Sequence, residues 1–286
     1  MKVYYECGAC FLRQAREAMD LATDDDNLKI ELMGDIFKFL ALNYVENASS
    51  NKLGSAIHRM IKEKTKCHDP YSKEKILGNE IALNFLPKVQ ELLEKDNTFE
   101  NYIKIAIVGN ILDFGALGLD FDLQELIFTN LNKDLAINHI DQLKAAISNH
   151  KEVLFLADNI GEIVFDKLLI EKLNGSGLNV TVALKEKPIL NDACIEDAQA
   201  IGLDDVATLT TIGTDSVGII YDEASDEFKK LFDNSTFIIA KGLGNYEGLT
   251  EINLEGKDVF SLLCVKCSAI SKDIGVDKLE NVLLKL

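Results

Sequence analysis

Glu152-Val153-Leu154-Phe155-Leu156-Ala157-Asp158-Asn159-Ile160-Gly161-Glu162-Ile163-Val164-Phe165-Asp166 decides the fold. The run 152–158 is almost continuously apolar and stops at Asp158-Asn159, and from Ile160 onward the apolar positions recur at helical spacing. A short buried strand leading through a polar turn into a helix is the repeating unit of a parallel sheet.

Downstream, the same change of period returns. Strands are expected at 179–185, 206–213, 236–242 and 258–266, with helices over IGEIVFDKLLIEKLNG, CIEDAQAIG and ASDEFKKLFDN ending near Gly or Asn. Strands that are apolar on both faces belong to a sheet covered on both sides. Residues 151–286 therefore read as a Rossmann-like α/β domain, mainly parallel, with helices on both faces.

Upstream, residues 1–150 read as an all-α helical domain. LRQAREAMDLA, IELMGDIFKFLALNYV, LGSAIHRMIKEKT and IALNFLPKVQELLEK carry helical periodicity, with breaks at 24–27, 47–51 and His68-Asp69-Pro70. NYIKIAIVGNILDFGALG is expected to be a further helix, despite Ile and Val content that suits a strand.

Charge narrows the function. The 286 residues hold 30 Lys and Arg against 47 Asp and Glu, for a net charge of -17. Affinity for nucleic acid or anionic lipid depends on clustered basic residues, so neither is an expected partner. There is no apolar run of membrane-spanning length, and MKVYYECGAC lacks the apolar core of a signal peptide, so a cytoplasmic protein with reduced cysteines is expected. The half from residue 151 holds 24 acidic residues, 13 Lys and no Arg. An anion bound there must meet lysine, a backbone amide or a metal ion.

Ligands of open parallel sheets bind beyond the carboxyl ends of the strands. Those ends carry Asp158-Asn159 with Gly161 and Glu162, then Lys185 leading to Asn191-Asp192, then Gly213-Thr214-Asp215-Ser216, then Lys241-Gly242-Leu243-Gly244-Asn245, and finally Lys266-Cys267. Asp158, Asn159 and Asp192 offer hard oxygen ligands for Mg²⁺ or Mn²⁺, with Co²⁺ or Ni²⁺ as alternatives. Lys241 and Lys266 are the cations expected to face a phosphate. Gly161, Gly242 and Gly244 permit close backbone approach, and the helix starting near Ile160 is expected to aim free amides at an anion. Glu162 is expected to position a water or a sugar hydroxyl. Asp and Asn after a strand also serve as helix caps, and glycine turns punctuate many α/β folds. Five polar strand ends together favour a phosphate and metal site.

Other chemistries find no support. The chain lacks Gly-x-x-x-x-Gly-Lys-Ser/Thr, a Gly-x-Gly-x-x-Gly after the first strand of the sheet, and the Gly-x-Ser-x-Gly elbow. Cys7-x-x-Cys10 and Cys264-x-x-Cys267 have the spacing of a structural Zn²⁺ site joining the termini. Cys264 falls in an expected strand, where residues three apart point to opposite faces, so buried thiols are favoured over zinc.

These residues carry a family resemblance over nearly the whole chain. Cys7-Gly8-Ala9-Cys10 with Leu12-Arg13-Gln14-Ala15, Gly109-Asn110-Ile111-Leu112-Asp113, the 158–166 stretch, Lys187-Pro188-Ile189-Leu190-Asn191-Asp192-Ala193, 241–247 and Lys266-Cys267 resemble the damage-control phosphatases. That family has long been labelled domain-of-unknown-function family 89, and the likeness is to its short prokaryotic branch. The resemblance implies a metal-dependent phosphatase acting on small phosphorylated metabolites. It implies that Asp158, Asn159 and Asp192 hold the cation and that Glu162, the Lys241 to Asn245 loop and Lys266 contact the substrate, with Asn191 beside them. Asp158, Glu162 and Lys241 are then the catalytic candidates, and Asn110 and Asp113 match a motif of the prokaryotic branch. Attack by a metal-positioned water is favoured over attack by Asp158, because a metal-bound carboxylate is a poorer nucleophile. Two alternatives remain open: an S-adenosylmethionine-dependent carboxyl methyltransferase, and a non-catalytic binder of phosphometabolites.

Overall fold

The computed structural model describes residues 1–111 and 123–286. Its first part is helical: α1 (Cys7–Ala22), α2 (Asp26–Asn43), α3 (Ser50–Thr65), α4 (Ser72–Lys95), α5 (Phe99–Ile111) and α6 (Leu123–Asn132). Next come β1 (Ile137–Asn138), α7 (Ile140–Asn149), β2 (Glu152–Leu156), α8 (Glu162–Gly175), β3 (Asn179–Leu184), α9 (Ile195–Ala200) and β4 (Thr208–Thr211). The chain closes with α10 (Asp226–Asn234), β5 (Phe237–Lys241), α11 (Gly242–Leu249), β6 (Asp258–Cys264), α12 (Ser268–Ile274) and β7 (Asn281–Lys285). Among the described residues the sheet has seven strands in the order β1-β7-β6-β5-β2-β3-β4. Every pairing is parallel except β6 with β7.

The α/β fold expected from the sequence is the fold observed, and its strand order locates the site. From β2 the chain moves outward through β3 and β4, then returns to lay β5 on the other side of β2. The order reverses between β2 and β5, and the crevice beyond their carboxyl ends is where such sheets place ligands. Alternating side chains explain why both faces are covered. Val153, Phe155, Phe237 and Ile239 pack into one core with Ile103 and Ile107 of α5 and Ile163 of α8. Leu154, Leu156, Ile238 and Ala240 pack into another with Phe228 and Phe232 of α10.

Three departures from the sequence reading matter. The segment read as a loop at 241–245 is the end of β5 followed by the first turn of α11. Gly242, at φ 76°, makes the strand-to-helix turn that other residues adopt only with strain. β7 was not expected from the sequence, and it is the antiparallel strand, hydrogen-bonded to β6. β1 also joins the sheet through β7, from a segment read as helical. The first ambiguous segment is helical as expected over α5, which packs tightly on α8. A Cβ at Gly109 would lie 3.2 Å from Glu162 Cα and from the Phe165 ring.

His58, buried on α3, has an Nε2 without a hydrogen-bond partner. Burial, with a smaller push from Lys62, lowers its pKa to about 4. Between that value and the roughly 6.5 of an exposed imidazole, the unfolded chain takes up a proton that the folded chain refuses. Stability is therefore fully present above about pH 6.5 and declines as the pH falls towards 4, by about 3 kcal/mol from this group. Urea denaturation at a series of pH values should show a His58→Gln variant with a flatter acid limb than the parent chain, whatever its absolute stability.

Candidate active site

The turn after β2 and the segment before α9 lie side by side. Ile160 N donates to Asn191 O and Ala193 N donates to Asp158 O, each at 2.9 Å, and Asn159 and Asp192 form an antiparallel bridge. This pairing brings Asp158, Asn159, Asn191 and Asp192 to one place. Gly161, at φ 75°, closes the turn, and its N–H donates to Asn79 Oδ1 of α4 at 2.9 Å. The amides of Asn159, Ile160 and Gly161 are all engaged within the protein. The expectation that this helix start aims free amides at an anion is therefore corrected.

Asn159 is oriented by its acidic neighbours. Its Nδ2 donates to Asp158 Oδ2 at 2.9 Å and to Glu162 Oε2 at 3.0 Å. With both N–H groups facing carboxylates, the amide oxygen is the function left for the cleft. Asp192 Oδ2 is buried, lies 3.4 Å from Lys185 Nζ and accepts no hydrogen bond. Burial above all, then repulsion from Asp192 and Glu162, holds the Asp158 carboxyl well above its ordinary pKa, against a smaller pull from Lys185 and Lys266. Asp192 is likewise raised by burial, with Lys185 and Lys75 opposing.

A cleft of about 330 Å³ opens over these groups. Asp158, Asn159, Asn191, Asp192, Gly244 and Lys266 line it from the α/β side. Cys10, Arg13 and Gln14 of α1 and Asn51 of α3 line it from the helical side. Leu243 and Gly244 place the first turn of α11, the positive end of that helix, at the cleft. Gly244 is needed there because its Cβ position is 3.1 Å from Gly218 N.

Four predicted residues lie behind this lining. Lys241 is fully buried and donates to Glu162 Oε1 at 2.5 Å, Asp166 Oδ1 at 2.6 Å and Ala106 O at 2.8 Å. All three ammonium donors are used, so Lys241 does not face the cleft as the sequence reading had it. Asn245 donates to Ala157 O and Lys241 O, each at 2.9 Å, which ties β2, β5 and α11 together. Gly242 is buried in the same turn. Glu162 links the two regions, with one oxygen on Asn159 and the other on Lys241. Asp166 is pushed up to about 7 by burial, opposed by Lys241 and reinforced by Glu162. Burial works against the Lys241 charge, yet Asp166 and Glu162 outweigh it and raise its pKa.

Several residues at the site are given no role by the sequence alone. Lys185 is buried and donates to Gly218 O at 2.7 Å beside Asp192. Its position at a strand end was the available signal. Lys75, Asn79 and Asn51 arrive through packing and carried no signal, whereas Cys10, Arg13 and Gln14 of α1 stand in the N-terminal stretch that carries the family resemblance. Asp113 and the Asn110 side chain lie outside the described residues.

Among the described residues no group of three or more His, Cys, Asp or Glu is arranged to hold a metal ion. Cys7, Cys10 and Cys267 line the cleft, while Cys264 is buried in the core beneath the sheet. The two Cys-x-x-Cys pairs thus do not converge as a four-thiol site. Asp158 and Asp192 with the Asn159 oxygen form a different donor set, two carboxylates and one amide. Buried carboxylate charge and an Asp192 oxygen without a hydrogen bond suit a hard divalent cation that keeps water in its other positions.

The chain is similar to known proteins over nearly its whole length. The model of the damage-control phosphatase ARMT1-like domain matches residues 3–282. An uncharacterized protein of Methanocaldococcus jannaschii is 38% identical over 291 aligned residues, taking in 100% of this chain and 96% of that protein. A damage-control phosphatase of Archaeoglobus fulgidus is 34% identical over 282 residues, 97% of this chain and 96% of that one. The crystal structure of a family-89 protein from Pyrococcus horikoshii is similar with a TM-score of 0.90 and 34% identity, covering 100% of this chain and 99% of that one.

Replacing Lys241 by Met should leave Glu162 and Asp166 buried without their counter-charge, a loss of about 3–5 kcal/mol by urea denaturation. Adding Asp166→Asn should recover part of that loss. A Lys241→Met chain as stable as the parent would contradict the buried network.

Proposed function

Because the chain belongs to the family of ARMT1-like damage-control phosphatase domains, we propose that its cleft hydrolyses phosphomonoesters of small, sugar-like or damaged metabolites with the help of a divalent cation. The observation that carries this reading is the convergence of Asp158, Asn159, Asp192 and Lys266 on one cleft at the reversal point of the sheet. Asp158, Asn159 and Asp192 would hold the cation, Mg²⁺ or Mn²⁺ by ligand hardness, and Co²⁺ or Ni²⁺ in their place. A bound cation supplies Lewis-acid polarisation of the phosphoryl oxygens.

The chain's own groups do the rest. Lys266 is exposed at the rim and offsets phosphate charge as it builds in a loose transition state. The positive end of α11 at Leu243 and Gly244 adds to that field. Glu162 acts one step back: it fixes the Asn159 amide and is itself fixed by Lys241. Asn191 on the α/β side and Gln14 and Arg13 on the helical side line the cleft and would bind the hydroxyls of a small metabolite. The cleft volume of about 330 Å³ suits a ligand of that size. A methyltransferase reading finds less support, because Lys185 just after β3 stands where an acidic ribose contact would be needed and is bonded to Gly218 O.

Purified chain assayed with Mg²⁺, Mn²⁺, Co²⁺ and Ni²⁺ on a panel of sugar phosphates should release phosphate. Asp158→Asn and Asp192→Asn should each lose on the order of 10²-fold or more in kcat/KM. Lys266→Ala should chiefly lower kcat. Full turnover by either Asn variant would overturn the assignment.

A further inference from the structure

Helix α2 turns Leu32, Ile36 and Leu40 into the helical core, yet it is apolar on its outer side as well. Ile30 is 73% exposed and Phe37 53% exposed. With Gly34 and Ala41 they form one stripe at spacings of four, three and four residues, the seam of a helix that packs on another helix. Nothing lies within 4 Å of the Cβ position of Gly34, so the stripe has an open notch at its centre.

We propose that this face is the contact between two copies of the chain, with α2 packed antiparallel on α2 of the partner about a two-fold axis. The sequence of the stripe is self-complementary in that arrangement. Phe37 falls opposite Gly34 of the second copy, and Ile30 opposite Ala41, so each large side chain meets a small one and the pattern repeats through the axis. The flank is complementary in charge. Lys38 and Glu31 stand one heptad apart on the same side of the stripe, and an antiparallel pairing sets Lys38 of one copy against Glu31 of the other. Their present partners are easily exchanged, since Lys38 is 78% exposed beside Asp35 and Glu31 is 62% exposed beside Lys64. A parallel pairing would oppose Phe37 to Phe37 and Gly34 to Gly34 and would not bring Lys38 to Glu31, and it is disfavoured.

Sedimentation equilibrium of the full chain over a concentration series tests this. The expected mass is twice 31.7 kDa. Phe37→Glu should sediment as a single chain and keep the far-UV circular dichroism of the parent. Gly34→Leu fills the notch without touching the folded monomer, and it should raise the dimer Kd at least about tenfold. Lys38→Glu should weaken the dimer, and Glu31→Lys added to it should restore it. A parent chain that stays at 31.7 kDa throughout, or a dimer indifferent to Phe37→Glu and Gly34→Leu, overturns the proposal. Failure of the charge swap to restore association overturns the antiparallel register.

Discussion

Negative charge is gathered and buried at the carboxyl end of β2, and the surrounding structure answers to that constraint. Asp158, Glu162, Asp166 and Asp192 are each at most 9% exposed. Removing carboxylates from water is costly unless each finds donors or cations. Lys241 meets Glu162 and Asp166, Lys185 stands beside Asp192, and Asn159 spends its amide on Asp158 and Glu162. Lys241 neutralises one charge of the Glu162 and Asp166 pair, while Asp158 and Asp192, with Lys185 beside Asp192, line the cleft.

The helices of the first part supply what the sheet lacks. Ala106 O of α5 completes the coordination of the Lys241 ammonium, and Gly109 allows α5 to come close enough to do so. Asn79 of α4 holds the Gly161 amide, and Lys75 on the same helix adds its field to Asp192. Helix α3 fastens the far wall: Asn51 donates to Gly244 O, Ser55 accepts from Val217 N, and Arg59 and Lys62 clasp Asp215. The two arginines that line the cleft or brace it, Arg13 and Arg59, come from helices, because the sheet's half of the chain has none.

The sheet was legible because its strands are short apolar runs with polar ends, a pattern set by burial on both faces. Asp158, Asn159, Asn191, Asp192 and Lys266 could be read as neighbours because strand ends of a parallel sheet converge. Lys241 could not be placed the same way. Its partner Asp166 lies one turn into α8, and only the packing of α5 on α8 shows that the lysine points down into the core and not outward. β7 was illegible for a related reason: NVLLK is a brief apolar run that becomes a strand only because β6 offers it an edge. Packing between elements distant in sequence, such as α4 on the turn at Gly161, left no local trace at all.

We infer that the charge around Asp158 and Asp192 belongs to a divalent cation. Thermal melting of the chelator-treated chain with and without Mn²⁺ or Mg²⁺ tests it directly, since a ligand bound only by the folded state raises its stability. The melting temperature should be higher with the cation, with no such rise when Asp158 and Asp192 are both replaced by Asn. An unchanged melting temperature in the parent chain, or an equal rise in the doubly substituted one, would contradict it.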